Sequence, residues 1–528
     1  MKKYISLFLL ATAAIFTSCV DDEGSYDLSP INEMEVTISN EDGYTAYIMG
    51  DPVLISADVK GTMAEENDPD RYAYHWYVKI ITDMVSQAFR VVDLSSEREF
   101  NYTAGDDLIP GSYNLYLEVE DKETGLKVLQ QTTLSIASQA TTGFLVLGEA
   151  SDGSTKMDMI ATMAEDTVLL ENVFTDSNIK SPESLFFTGP LDSYQHLWLT
   201  TADQSYSLTS GSYFNLLEDN SIENYMLTSF DVIRPMRVLE MYPHYDPSSR
   251  RPARADPNRG YITEDAVFQV STMASGGILA YGNPINRYDV LSTELFKPYP
   301  LAFLTSGYIN SFSFYVILYD MDNNVFVMPN SNSSTPTICN KLQGGNLFDW
   351  DQKTYPDNRH LVFGQNGIAS FSYALLTDDQ NKWYIYKFVV NSAKKQELAK
   401  EVDLSKAKDF DKATFYAFSD LETEIVYAVG SQLWAYDYER QIAKMLKDYG
   451  KPIIYLIRDI ESTTNNSNFC IATSSGDGTS TLSWFTLGEN PDDIIFEEDE
   501  DMVWEINSTI KAVQWKNAGD LEDESGYY

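Results

Sequence analysis

Gly111-Ser112-Tyr113-Asn114-Leu115-Tyr116-Leu117-Glu118-Val119-Glu120-Asp121 is the most regular alternation in the chain. Tyr113, Leu115, Leu117 and Val119 fall on one side, and Asn114, Tyr116, Glu118 and Glu120 on the other. That period of two marks a half-buried β-strand. Working outward, residues 34–38, 44–48 and 52–59 alternate in the same way. Residues 72–78 form a further strand, with Tyr74 and Trp76 on one face. A turn at 122–125 leads into a last strand over 126–136. About seven short strands around a central Trp predict an immunoglobulin-like β-sandwich over residues 31–137.

Ahead of the sandwich, Lys2 and Lys3 lead into an apolar run over residues 4–16, followed by Thr17-Ser18-Cys19. The run falls short of the ~20 apolar residues that a membrane span needs, so residues 1–18 read as a secretory signal. Residues 19–30 read as an acidic tether. Cys19, with two small residues before it, resembles a bacterial lipobox, although Phe16 stands where Leu is usual. The resemblance implies a diacylglycerol on the Cys19 thiol and a third acyl chain on its amine, an anchor stable enough to hold the chain at a membrane. Asp21, Asp22 and Glu23 resemble the surface-export signal of Bacteroidetes outer-membrane lipoproteins. That implies an outer-membrane protein facing the cell exterior.

Tyr74-His75-Trp76, Pro110-Gly111-Ser112-Tyr113 and Val119-Glu120-Asp121 resemble the Y-x-W strand and the G-x-Y-x-L-x-L-x-V-x-D strand of the PKD fold. With the lipobox, the chain resembles the PKD-like surface lipoproteins of Bacteroidetes. The likeness continues through residues 142–149, Asp152-Gly153 and Asp158-Met159-Ile160. It implies partners: a TonB-dependent outer-membrane transporter and its lid-forming binding lipoprotein. The family carries no catalytic residues.

Residues 137–142 are a small polar linker. From Gly143 to the C-terminus there is almost no helical periodicity. Apolar-aromatic strands recur in pairs about polar turns, for example 314–319 with 325–327, 383–388 after 369–376, 425–429 with 433–438, and 469–472 with 482–487. Spacings of roughly 40–60 residues suit propeller blades. The expectation is therefore an all-β chain whose residues 143–528 form a β-propeller-like domain of about seven blades. Residues 509–515 would close it by pairing with 144–147. A stacked pair of β-sandwiches is the alternative. Trp198, Trp350, Trp383, Trp434, Trp484 and Trp504 sit at strand positions and read as core.

The formal charge of −42 repels nucleic acid, which excludes that class of ligand. Cys339 and Cys470 lie far apart and read as two lone core thiols, with a disulfide between them in an oxidising compartment as the alternative. The four histidines are isolated, and no HExxH, CxxC, GxSxG or Walker loop occurs. Asp320 to Asn324 begins like a calcium loop but has Val325 at the position where an EF-hand needs Gly, so it reads as a hairpin turn. Hence no catalytic residue, cofactor or metal site is expected. Residues 241–261 carry four prolines with Arg250, Arg251, Arg254 and Arg259, and read as a loop, solvated or used for docking. Glu497 to Asp501 reads as a solvated acidic loop. The functional expectation is a non-enzymatic accessory subunit that binds a glycan or peptide for a nutrient-uptake system. A propeller glycoside hydrolase or lyase is one alternative, and a purely structural docking subunit is another.

Overall fold

The computed structural model describes residues 31–516 except 40–42, 49, 84–87, 106, 109, 163–166, 189–195, 210–212, 219, 243–257, 272–280, 305–314, 331–336, 369–370, 460–466, 489 and 491. The described chain is all-β, as the alternation predicts. Among the described residues, short 3-10 turns lie between strands at Ile222–Tyr225, Gln352–Thr354 and Phe410–Lys412. It divides into two compact units between Ala137 and Ser138. No described helix is long and apolar enough to cross a membrane.

The first unit contains β1 (Met34–Ile38), β2 (Tyr44–Ile48), β3 (Val53–Gly61), β4 (Tyr72–Asp83), β5 (Ala88–Ser95), β6 (Glu99–Tyr102), β7 (Gly111–Asp121) and β8 (Lys127–Ser138). They form two antiparallel sheets, ordered β1-β3-β6 and β2-β8-β7-β4-β5. In β7 the alternation holds: Leu115, Leu117 and Val119 are buried. Trp76 of β4 is fully buried, 5.0 Å from the Phe100 ring, and its Nε1 donates to the Glu97 carbonyl at 2.9 Å. The same alternation carries Asp121 inward, where it is fully buried. It accepts hydrogen bonds from Asn32 Nδ2 at 2.9 Å, Arg71 Nη2 at 2.9 Å and the Glu123 backbone N–H at 3.0 Å. Burial alone would raise the Asp121 pKa. The bonds from Asn32, Arg71 and Glu123 outweigh it and hold the carboxyl well below the usual carboxylate range.

The second unit is a succession of seven antiparallel sheets. The first holds β9 (Gly143–Glu149), β10 (Ser154–Thr162) and β11 (Thr167–Lys180). The second is β12 (Pro182–Thr188), β13 (His196–Thr201) and β14 (Ser205–Leu208); the third is β15 (Glu240–Tyr242), β16 (Asn258–Ile262) and β17 (Val267–Ser271). The fourth is β18 (Phe303–Leu304), β19 (Val316–Asp320), β20 (Val325–Pro329) and β21 (Cys339–Lys341). The fifth is β22 (His360–Asn366), β23 (Phe371–Thr377), β24 (Trp383–Val389) and β25 (Gln396–Glu401). The sixth is β26 (Phe415–Phe418), β27 (Glu424–Val429), β28 (Gln432–Asp437) and β29 (Ile442–Asp448). The seventh is β30 (Ile453–Arg458), β31 (Ser467–Thr473), β32 (Ser480–Gly488) and β33 (Ile495–Ile506). Last, β34 (Thr509–Lys516) returns to the first sheet and pairs with β9, Trp515 opposite Phe144. That is the pairing expected from the two end segments.

The middle strands of these sheets are apolar on both faces because each sheet is covered on both sides. In β13, Leu197 and Leu199 pack on the first sheet and Trp198 on the third. In β19, Leu318 packs on the third sheet, whereas Ile317 and Tyr319 pack on the fifth. In β23, Ala374 and Leu376 face the fourth sheet while Tyr373 and Leu375 face the sixth. In β31, Phe469 and Ile471 face the sixth sheet, and Cys470 and Ala472 face the first. The seventh sheet thus packs on the first. Cys339 and Cys470 are both free and buried. Trp198, Trp350, Trp383 and Trp484 are buried in these layers.

Two expected loops differ. Residues 241–261 begin inside β15 and end inside β16, so only 243–257 separate the strands, and these lie outside the described residues. The acidic block from Glu497 to Asp501 is not a loop but part of β33. As the last strand of its sheet, β33 is solvated and tolerates consecutive acids while pairing with β32, as Glu498 does with Phe485.

Two substitutions test this packing. Asp121→Ala removes the acceptor of Asn32 and Arg71, and should lower the stability of the first unit by ~2 kcal/mol at neutral pH. The measurement is urea unfolding of parent and variant, with the first unit followed by hydrogen exchange of its β7 amides. Because the parent carboxyl takes a proton only at low pH, the deficit should shrink below about pH 4. Gly143 has φ +149°, and a Cβ there would lie 2.1 Å from the Ile160 carbonyl. Gly143→Ala should therefore destabilise the second unit by about 2 kcal/mol, read from its melting transition.

Candidate functional site

The first strands of the seven sheets, counting β34 for the first, all contribute to one cavity of about 450 Å³. β22 and the residue after it contribute Phe363-Gly364-Gln365-Asn366-Gly367, a stretch that lies close against the chain on either side. The glycines are what allow this. A Cβ on Gly364 would lie 2.5 Å from Leu301 Cδ2, and one on Gly367 would lie 2.1 Å from Asp420 Oδ1.

Between those glycines, two amides reach in opposite directions. Gln365 Nε2 donates to the Phe418 carbonyl at 2.9 Å, and its Oε1 accepts the Phe418 N–H at 2.8 Å. Asn366 does the same toward the fourth sheet, donating to the Ala302 carbonyl at 2.8 Å and accepting the Leu304 N–H at 2.9 Å. The walls between them are apolar. Phe186, Phe363, Tyr455 and Trp515 each leave part of a ring uncovered, beside Leu301 and Ile457.

Of the charged groups in the lining, Lys511, Glu183 and Arg458 are paired, while Glu240 and Asp459 are buried. Lys511 Nζ lies 2.7 Å from Glu149, and Arg237 Nε lies 3.1 Å from Glu183. Arg458 Nε faces Asp420 at 3.5 Å, and both side chains are only 1% exposed. Burial pushes the Asp420 carboxyl up to about 6 against the pull of Arg458, and lowers the Arg458 guanidinium. Lys387 is lowered by burial too, with Asp420 opposing. Among the described residues, no group of three or more His, Cys, Asp or Glu side chains is placed to hold a metal. In the Asp320 turn, Oδ1 accepts the N–H groups of Asp322 and Asn323 at 2.8 and 3.0 Å, the bonding of a closed hairpin turn.

Of the residues expected to matter, Cys19, Asp21, Asp22 and Glu23 lie outside the described residues, as do Arg250, Arg251 and Arg254. Arg259 is described. It lies in β16 opposite Val270 and is 3% exposed, so it presents no charge at the surface. Arg259 is not among the described residues that line the cavity. Sequence reasoning passed over Gln365, Asn366, Asp420 and Arg458. The available signal was Gly364-Gln365-Asn366-Gly367, two amides framed by glycines at the end of an apolar strand.

Residues 19–181 match the model of the PKD-like family. The match spans the described residues of the first unit and runs on through β9, β10 and β11. No curated protein matches the chain. Among solved structures, the chain is similar to a quinonprotein alcohol dehydrogenase-like protein from Bacteroides thetaiotaomicron, at 12% identity and a TM-score of 0.38. That likeness covers 91% of this chain and 95% of the other. It is also similar to a DUF4784 family protein from Bacteroides caccae, at 9% identity and TM-score 0.26, covering 91% and 98%. A third is the extracellular domain assigned to a hybrid two component system of B. thetaiotaomicron, at 8% identity and TM-score 0.34, covering 90% and 69%.

The Asp420 carboxyl gives the site a pH signature. Its folded pKa lies above the ~4 of an unfolded aspartate, so its contribution is full below pH 4 and is lost as pH rises through about 6. Relative to Asp420→Asn, the parent should lose stability between those values and run parallel to it above them. Urea midpoints of both chains across that range are the measurement.

Proposed function

We propose that the second unit is a seven-bladed propeller with the cavity on its axis, and that the protein is a non-enzymatic binding subunit of a nutrient-uptake system. Lipid on Cys19 holds it at the outer membrane, facing the exterior, beside a TonB-dependent transporter and its binding lipoprotein. The observation that carries this reading is the cavity itself. All seven sheets line it, it offers partly uncovered aromatic side chains, and three of its charged side chains, Lys511, Arg458 and Glu183, are engaged in internal pairs. Such a lining favours reversible capture over bond-breaking chemistry, which needs a free acid, base or nucleophile. The anchor has support of a different kind, since the family match begins at residue 19, where the signal reading places the mature N-terminus. Tethering raises the concentration of captured ligand beside the importer, so modest affinity suffices.

Cys19→Ala should abolish incorporation of a fatty-acid probe and release the protein from the membrane fraction; continued labelling would refute the anchor. Replacing Asp21, Asp22 and Glu23 with Ala should leave the chain lipidated yet protected from protease on whole cells. Binding is tested by exposing the purified chain to glycan and peptide panels, with at least one saturable ligand expected. Released products from a glycan would point to the hydrolase or lyase alternative, and silence across both panels would overturn the binding reading.

A further inference from the structure

The cavity also bears on which nutrient class enters it, an inference that rests on the binding reading above. A glycan brings hydroxyls, and each one that leaves water needs a partner in the wall. The wall has few to give. The amides of Gln365 and Asn366 each commit one N–H and the oxygen to a neighbouring backbone. Tyr455 Oη exchanges bonds with the N–H and carbonyl of Val513 at 3.1 and 3.4 Å, and Tyr416 Oη donates to the Phe410 carbonyl at 2.6 Å. Nor would a charged ligand group find a ready counter-charge: Lys511, Arg458 and Glu183 are paired, and Glu240 and Asp459 are buried with partners of their own.

What the lining does offer is the uncovered part of Phe186, Phe363, Tyr455 and Trp515, with Leu301 and Ile457. Rings of this kind take another ring edge-on or offset, as Trp515 already takes Phe144 at a centroid distance of 4.8 Å. We propose that the cavity accepts an uncharged apolar side chain of a peptide, aromatic by preference, and turns glycans away. The peptide backbone stays at the mouth, where its own polar groups keep their water.

Calorimetric titration of the purified chain tests this with acetyl-Ala-Phe-Ala-amide, the same peptide with Ser in place of Phe, and maltotriose. The Phe peptide should bind one to one and about tenfold or more tighter than the Ser peptide, with no heat from maltotriose. Phe363→Ser and Leu301→Asn, on separate walls, should each weaken the Phe peptide about tenfold, while Phe363→Leu stays within about threefold of the parent. Melting curves of all three variants are recorded, and Leu301→Asn carries the test if Phe363→Ser fails to fold. Equal affinity for the Phe and Ser peptides, binding of maltotriose, or parent-like affinity in both polar variants overturns the proposal. A glycan hit with no response to the Phe peptide would sink this inference and leave the binding reading standing; no ligand in any panel would sink the binding reading itself.

Discussion

Every sheet has two ends, and in the second unit one end of each sheet lies at a cavity where no further strand can be added. The first strand there bonds to the second along one edge, and its other edge must be satisfied by something else, because an unpaired buried backbone group costs about 1–3 kcal/mol. The second unit meets this requirement with side chains from the neighbouring sheet. Gln365 serves Phe418, Asn366 serves Leu304 and Ala302, and Ser205 with Thr200 serves the N–H and carbonyl of Val238, both at 2.9 Å. Ser480 accepts the Ile510 N–H and donates to the Ser508 carbonyl. Sheets that share no ladder are thereby joined by hydrogen bonds with defined geometry. The same economy leaves the cavity apolar, since the polar groups that reach it are already committed.

This accounts for part of the unusual tyrosine content. A phenylalanine would fill the space between sheets equally well, but a tyrosine also carries a hydroxyl across to the next backbone. Tyr299 Oη, ahead of β18, donates to the Val362 carbonyl at 2.8 Å, and Tyr319 Oη of β19 accepts the Leu361 N–H at 3.2 Å, so two tyrosines serve β22. Tyr436 accepts the Asp403 N–H at 3.1 Å and Tyr427 donates to the Lys408 carbonyl at 3.1 Å. Burial pushes these phenols up, Tyr299 to about 12, so they stay protonated donors at any ordinary pH.

The strands and their grouping were legible because period-two alternation is local. Leu115, Leu117 and Val119 announce a face by themselves, and the short apolar runs between polar turns announce strands buried on both sides. The closing strand was legible too, because 509–515 had no partner nearby while 144–147 opened the second unit. The ends of the site were not. Whether Gln365 lies in solvent or bridges two backbones depends on which sheet stands beside β22, and that neighbour lies 53 residues away. Asp121 shows the same limit: its place in the alternation points it inward, but Arg71 and Asn32 arrive from 50 and 89 residues off. Arg259 was misleading for the opposite reason. Its prolines and arginines read as a loop, yet the strand begins one residue before it, and register alone turns the side chain into the layer.

The pairing of β34 with β9 sets an order of events for synthesis. Thr141 and Lys516, which close the join through a bond between the carbonyl and Nζ, are 375 residues apart. A chain emerging N-terminus first can complete its sandwich early, but β9 must wait with one edge open until residues 509–516 have been made. Long-range closure of this kind is slow, and an open strand edge invites foreign partners meanwhile. A prematurely terminated chain would therefore carry a finished sandwich and an unsealed second unit, a ready substrate for quality-control proteases.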